Sequence, residues 1–430
     1  MLLIYTQKVT PRIDYSFKHI CTRILQLPIQ FSTTIEAFIA YQGPKISYGK
    51  QPLGNELFFF AHGLLNVQGF EDVEITVRPW NDTVGFFQTT EKSTLPYDIF
   101  AAAFYLLSRY EEYLPHVKDE LGRFPTTESL AYKEGFLKQP VVDLWAYEFK
   151  KVLLQAFPEI DFPKKQLTIH NLIEAKRPFE FLQRGILRNV LGFGGDLWKL
   201  KLGRFFLRIR VLMRLRKDPY DTFSWILNNT RNSSSKLTVF FLLGEAFSFR
   251  EDFNTKRQTY NSLVKYVADY CEVGLMFSYY SLVDYENLNL ERLQLEDITH
   301  RALESSANDK QVVNLPLVYR NIVELEVKND FTMFYYDEIG FRAGTCTPFL
   351  FYDLDYEIKT PLVIQPVIGK SLALTLGKEK DTEGAITQVF NWVKKVDGHF
   401  LFFFSNRDFE KKRENKVWRY LFSEKLNPHE

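Results

Sequence analysis

Cysteine is scarce in this chain. Cys21, Cys271 and Cys346 are the only three in 430 residues, and they lie far apart. An odd number at such spacing makes neither a disulfide framework nor a paired zinc motif, and it favours a reducing compartment. A dominant charge is also lacking: 54 Lys and Arg balance 53 Asp and Glu, for a net charge of +1. That excludes a chain-wide polyanion-binding surface, so nucleic acid is not an expected partner. No apolar run approaches the roughly 18 residues of a spanning helix. The opening MLLIYTQKVTPRIDYSFK has no basic region leading into a long apolar stretch, so no secretory leader is expected. The expected location is cytoplasmic, with peripheral contact at an inner membrane as the alternative. No G-x-S-x-G elbow, dinucleotide fingerprint or P-loop occurs, which removes the usual signals for a serine hydrolase or a nucleotide site.

Aromatic residues are abundant instead, at 16% of the chain, with 40 Phe and 23 Tyr. Most should fill large cores, and some can supply a ring-stacking surface. The length implies two or three domains. Residues 1–160 read as a mixed α/β domain, with strands at Leu2–Tyr5, Glu56–Phe60 and Asp72–Val77. Helices are expected at Tyr15–Leu27, Asp98–Tyr113 and Pro140–Leu154. In SRYEEYLPHVKDELGRFP, the acidic Glu111, Glu112, Asp119 and Glu120 with His116 match no common metal spacing and read as solvated charge.

After a Pro- and Lys-marked linker, residues 165–410 alternate apolar strands with helices. The strands are Gln166–His170, Lys236–Leu243, Glu272–Phe277, Leu362–Val367 and Phe400–Phe404. The helices are Pro219–Asn228 (with Asp218 as N-cap), Tyr260–Tyr270, Pro316–Glu326 and Thr382–Lys395. That pattern predicts a mainly parallel sheet, as a barrel or an open sheet, with its chemistry at the carboxyl ends of the strands. Residues 411–430 form a helical tail. Residues 184–217 interrupt the rhythm with ten Lys or Arg, one Asp and many Leu and Phe. They read as an amphipathic insertion that packs its apolar face on the domain or meets an anionic membrane or a partner through Arg204, Arg208, Arg210, Arg214 and Arg216.

GFRAGTCTPF at 340–349 holds Arg342 and Cys346 in a tight, aromatic setting. A buried guanidinium cannot shed its charge, so Arg342 requires an anion or carbonyl partner. This stretch, with NLPLVYRN at 314–321, FFLLGE at 240–245, KDPYDTF at 217–223 and QPVVDLWAYEF at 139–149, resembles the polysaccharide deacetylase-like proteins of Bacteroidetes. The resemblance implies a distorted (β/α) barrel of NodB-homology type, preceded by a smaller α/β domain. It also implies ancestry in metal-dependent carbohydrate N- or O-deacetylation. In that pattern His170 stands at the place of the base Asp, and Leu172 at that of a metal Asp. Met276, before Ser278 and Tyr279, takes the place of one metal His, and Glu304 that of the second. Gln365 and Ser405, followed by Asn406, replace the remaining His positions, and only the motif of Arg342 is intact. Leucine and methionine are poor zinc ligands, and Gln and Ser cannot serve as a histidine acid.

The expectation is therefore a degenerate pocket with no catalytic residue and no cofactor. Zinc or another divalent metal is expected only if His170 and Glu304 form a rearranged site. Arg342 should be re-paired with Glu304, Asp353 or a bound anion. The expected role is a pseudoenzyme that binds a glycan or glycolipid, or scaffolds an active deacetylase or another envelope-biosynthesis protein. An active deacetylase with a rearranged site and a peripheral membrane scaffold are the alternatives.

Overall fold

The computed structural model describes residues 1–182, 185–247, 255, 258–376 and 381–427. The amino-terminal part builds a four-stranded parallel sheet from β1 (Leu2–Tyr5), β2 (Ile29–Ser32), β3 (Lys45–Gly49) and β4 (Leu57–Phe60), in the order β2-β1-β3-β4. A small antiparallel hairpin follows, β5 (Arg78–Trp80) with β6 (Thr83–Gly85). Asp72–Val77 forms no strand, and the extended pairing begins only at Arg78. Asp98 caps its helix as expected, accepting from the Ala101 amide at 3.0 Å. That helix stops at Leu107 because Arg109 takes a left-handed φ of 54°, and a short helix restarts at Tyr110–Tyr113.

The second part is a nine-stranded sheet in the order β12-β13-β11-β10-β9-β8-β7-β15-β14. Its strands are β7 (Thr168–Ala175), β8 (Lys236–Leu242), β9 (Glu272–Phe277), β10 (Ser305–Asn308), β11 (Asn329–Asp330), β12 (Phe349–Asp353), β13 (Ile358–Ile364), β14 (Val367–Lys370) and β15 (His399–Ser405). Every neighbouring pair is parallel except β12 with β13. The sheet curls around its own filling. Leu172, Phe240, Met276, Phe331 and Phe403 meet in one apolar cluster separate from the main core. Alternate residues of a strand share a face, so this lumen takes every second side chain of β7, β8 and β15. Helices cover the outer face, and the main core runs from Leu2 to Leu426 through both sheets.

Two expectations at this level are corrected. β7 does not end at His170; it runs five residues further, because the following side chains are mostly buried on both faces of the sheet. Asp218 does not cap the next helix, which starts at Phe223 behind Thr222. Its carboxylate instead accepts from the amides of Glu180, Phe181 and Leu182 at 2.6, 2.9 and 3.1 Å.

Candidate functional site

The carboxyl ends of the parallel strands carry a charged network absent from the sequence-based list. Glu174 at the end of β7 pairs with Lys176 at 2.5 Å. Lys176 also pairs with Asp309, just past β10. At the end of β14, Lys370 donates to Gln311 at 2.8 Å and lies 4.4 Å from the centre of the Tyr336 ring. Burial disfavours the Glu174 carboxylate, but Lys176 and Lys370 overcome it and hold its pKa at about 2. Burial likewise opposes the Lys176 ammonium, and Glu174 with Asp309 more than restores it above the ordinary value. Lys370 is pushed down to about 8 by burial, which Glu174 only partly offsets. One oxygen of Asp309, Oδ2, has no hydrogen-bond partner among the described residues.

Beside this network, Ser278 and Ser281 donate to Glu291 at 2.5 and 2.6 Å. Burial raises the Glu291 pKa, and those two hydroxyls oppose the rise. Gly244 leaves room for this carboxylate: a Cβ there would lie 1.8 Å from its Oε1. Phe247, Tyr279 and Tyr280 stand on the same rim. Phe247 meets Tyr279 edge-on at 5.1 Å and stacks parallel to Tyr280 at 6.1 Å, with the Lys310 ammonium 4.5 Å from the Phe247 ring centre. Tyr280 is exposed.

The sequence-selected residues are dispersed over several places. Ser278, Tyr279, Ser405 and Asn406 do reach the rim. Ser405 and Asp408 form a capping box, and Asn406 is a buried staple that donates to the carbonyls of Tyr220 and Arg177 at 2.8 and 3.2 Å. Leu172 and Met276 lie below, in the apolar lumen, at 0% and 1% exposure. His170 is lower still, at the amino-terminal end of the strands. Its Nε2 lies 2.8 Å from the Thr238 hydroxyl, which donates to Glu272 at 3.1 Å, and Ser305 also donates to Glu272. This polar belt crosses four neighbouring strands, and burial holds the His170 pKa at about 3, so the ring is neutral.

The remaining four do not join a pocket with these. Glu304 is exposed and pairs with Lys328 at 2.5 Å. Gln365 donates to Asn329 at 2.9 Å. Arg342 and Cys346 lie against the amino-terminal part, and neither Glu304 nor Asp353 is the partner of Arg342. Asp353 is held by Arg320 at 2.6 and 2.9 Å. Arg342 instead grips Glu112 through two hydrogen bonds, at 2.9 and 2.7 Å. Arg109 joins Glu112 at 2.7 Å and Glu111 at 2.7 Å. Of the acidic residues that read as solvated, Glu111 and Glu112 are thus buried partners, whereas Glu120 is exposed and Asp119, half-buried, pairs with Arg123. Next to them Asp143 accepts from the Thr345 hydroxyl at 2.7 Å, the Cys346 amide at 2.9 Å and the Thr347 hydroxyl at 2.6 Å. GFRAGTCTPF is therefore an interdomain clamp.

Residues 2–158 match a family of unknown function, DUF7033. The matched segment spans the four-stranded sheet and supplies Arg109, Glu111, Glu112 and Asp143 to the clamp; the rim network lies outside it. No curated protein matches the chain. The DUF7033 segment also reaches over the second sheet: Arg123 donates to the Lys310 carbonyl at 2.8 Å, and Thr126 to Asp337 at 2.5 Å. A cavity of about 130 Å³ remains between them, lined by Arg123, Gln311, Tyr335, Tyr336 and Arg342. A separate cleft of about 560 Å³ lies within the DUF7033 segment, among Phe70, Asp72, Tyr105, His116 and Phe124, and contains none of the rim groups. Among the described residues no group of three or more His, Cys, Asp or Glu is disposed to hold a metal ion, and no helix is long and apolar enough to cross a membrane.

Proposed function

We propose that this chain is a non-catalytic homologue of the polysaccharide deacetylases that binds a glycan at the carboxyl-end rim of its nine-stranded sheet. The observation that carries the reading is the filling of the lumen. Leu172 and Met276 stand where the resemblance sets an aspartate and a histidine ligand, and both pack against Phe240, Phe331 and Phe403. Isobutyl and thioether groups offer no oxygen or nitrogen donor to a zinc-like ion. His170, which the resemblance sets at the place of the base, lies at the amino-terminal end of the strands, neutral and spent on Thr238. The rim above offers ring faces for sugar stacking at Phe247 and the exposed Tyr280, beside the buried Asp309, whose Oδ2 has no hydrogen-bond partner among the described residues.

Calorimetric titration with acetylated and free chito-oligosaccharides tests this reading. Saturable binding is expected, with Tyr280→Ala weakening it about tenfold through loss of an exposed ring face. No binding of either sugar, or binding indifferent to Tyr280→Ala, refutes the rim as a glycan site.

A further inference from the structure

The basic insertion folds into two antiparallel helices, Ile186–Trp198 and Leu202–Leu212, joined by a three-residue turn. Their shared face is fully used. Phe193 meets Phe205 edge-on at 5.3 Å, and Arg208 pairs with Asp196 at 2.7 and 3.0 Å while lying 4.7 Å from the Phe181 ring centre. A Cβ on Gly192 would fall 2.3 Å from the Arg208 guanidinium, so the helices touch closely there. Arg204 pairs with Glu180 at 2.8 Å. Arg208 is thus a buried internal anchor, contrary to the expectation that it meets a membrane or partner, while Arg204 stays exposed beside Glu180.

The outer faces are unlike those of a soluble hairpin. Val190, Leu191, Leu197 and Trp198 fall on one stripe of the first helix, and all four are exposed. Leu202, Phe206 and Met213 form the matching stripe on the second, also exposed. At the tip Trp198 is 89% exposed and Leu200 83%. Isolated exposed apolar residues are ordinary, but a continuous run with a tryptophan at its end marks a contact surface. Its flanks carry Lys199 and Lys201 at the tip, Arg210 on the second helix, and Arg214 and Arg216 in the turn that follows it, all exposed. The insertion's only acid, Asp196, is consumed by Arg208. An exposed face that combines apolar side chains, an interfacial tryptophan and unneutralised cations complements an anionic bilayer surface; a protein groove would have no need of the excess cations.

We propose that this hairpin docks the protein on an anionic lipid surface, with Trp198, Leu200 and Leu202 entering the headgroup boundary and Arg210, Arg214 and Arg216 lying against the phosphates. Docking does not depend on what the rim of the sheet binds. Co-sedimentation of the full chain with phosphatidylcholine vesicles, with and without phosphatidylglycerol, tests the proposal. Binding is expected only with phosphatidylglycerol, falling as salt rises. Trp198→Ser/Leu200→Ser and Arg210→Glu/Arg214→Glu/Arg216→Glu should each lower it roughly tenfold or more while melting like the parent chain. Three results overturn the proposal: no binding to phosphatidylglycerol vesicles; equal binding by parent and variants; or a dimer, detected by light scattering, that Trp198→Ser/Leu200→Ser dissociates in a chain that ignores vesicles. The last would assign the face to a second copy.

Discussion

Arg342→Ala is expected to lower the unfolding free energy by about 3–5 kcal/mol, the cost of leaving a buried charge without its partner. Glu112 is at the centre of that cost. It is buried between Arg342 and Arg109; Arg109 remains in the variant, but it is shared with Glu111 and does not replace the two bonds that Arg342 gives. Arg342→Lys should recover only part of the loss, because a single ammonium cannot reproduce the two-pronged grip on one carboxylate. The clamp also fixes the acid limit of the fold. Burial alone would raise the Glu112 pKa from 4.5; Arg342 and Arg109 reverse that and hold it at about 2. A carboxylate with a depressed folded pKa contributes stability that is complete above its unfolded value and lost as it takes up a proton. The contribution of Glu112 is thus present above about pH 4.5 and disappears between there and about pH 2. Urea unfolding at pH 7 and pH 3.5 measures both effects. A difference between parent and Arg342→Ala that is under about 1 kcal/mol at pH 7 would mean that the pair is solvated and does not hold the two sheets together.

Leu172→Asp is expected to cost a similar amount, about 3–5 kcal/mol at neutral pH. The substitution restores the ligand type that the resemblance implies, so its outcome distinguishes a closed lumen from a latent site. Leu172 is surrounded by Phe240, Met276, Phe331 and Phe403. The cations above it, Lys176 and Lys370, already face Glu174 and Asp309. A new carboxylate would meet neither water nor an unpaired cation and would be driven toward its neutral form. Leu172→Met, which conserves volume, should cost less than about 1.5 kcal/mol. Chemical unfolding of the three proteins, with and without zinc, provides the comparison. A Leu172→Asp chain as stable as the parent, and stabilised further by zinc, would show that the lumen is open to an ion.

The alternation of apolar strands and helices was readable from the sequence, because a parallel sheet buried on both faces leaves continuous apolar runs such as KLTVFFL and HFLFFFS. The position of the site was much harder to read. His170 and Asn171 look like a strand end, yet both lie buried inside the sheet, where His170 meets Thr238 and the Asn171 amide donates to the Leu426 carbonyl at 2.9 Å. That premature end moved the expected rim four residues too early, to His170 instead of Glu174. Period-2 alternation along His170, Leu172 and Glu174 was the available signal. Glu111 and Glu112 looked solvated because their burial is set by tertiary structure: Arg109 is a near neighbour in sequence, but Arg342, which closes the pocket on Glu112, is 230 residues away. Local charge spacing cannot register a pair of that separation. Arg342 itself was rightly marked as needing an anion, since that requirement follows from the chemistry of a buried guanidinium.

The central claim is that the rim recognises a sugar above a lumen that cannot hydrolyse it. Acetate release from acetylated chito-oligosaccharides, measured with the purified chain in zinc and then in cobalt, tests that claim most directly. The account predicts that the sugar binds and that no acetate appears above the protein-free control with either metal. Metal-dependent acetate release that disappears in His170→Ala would contradict it, and would make the belt of His170, Thr238 and Glu272 the active site.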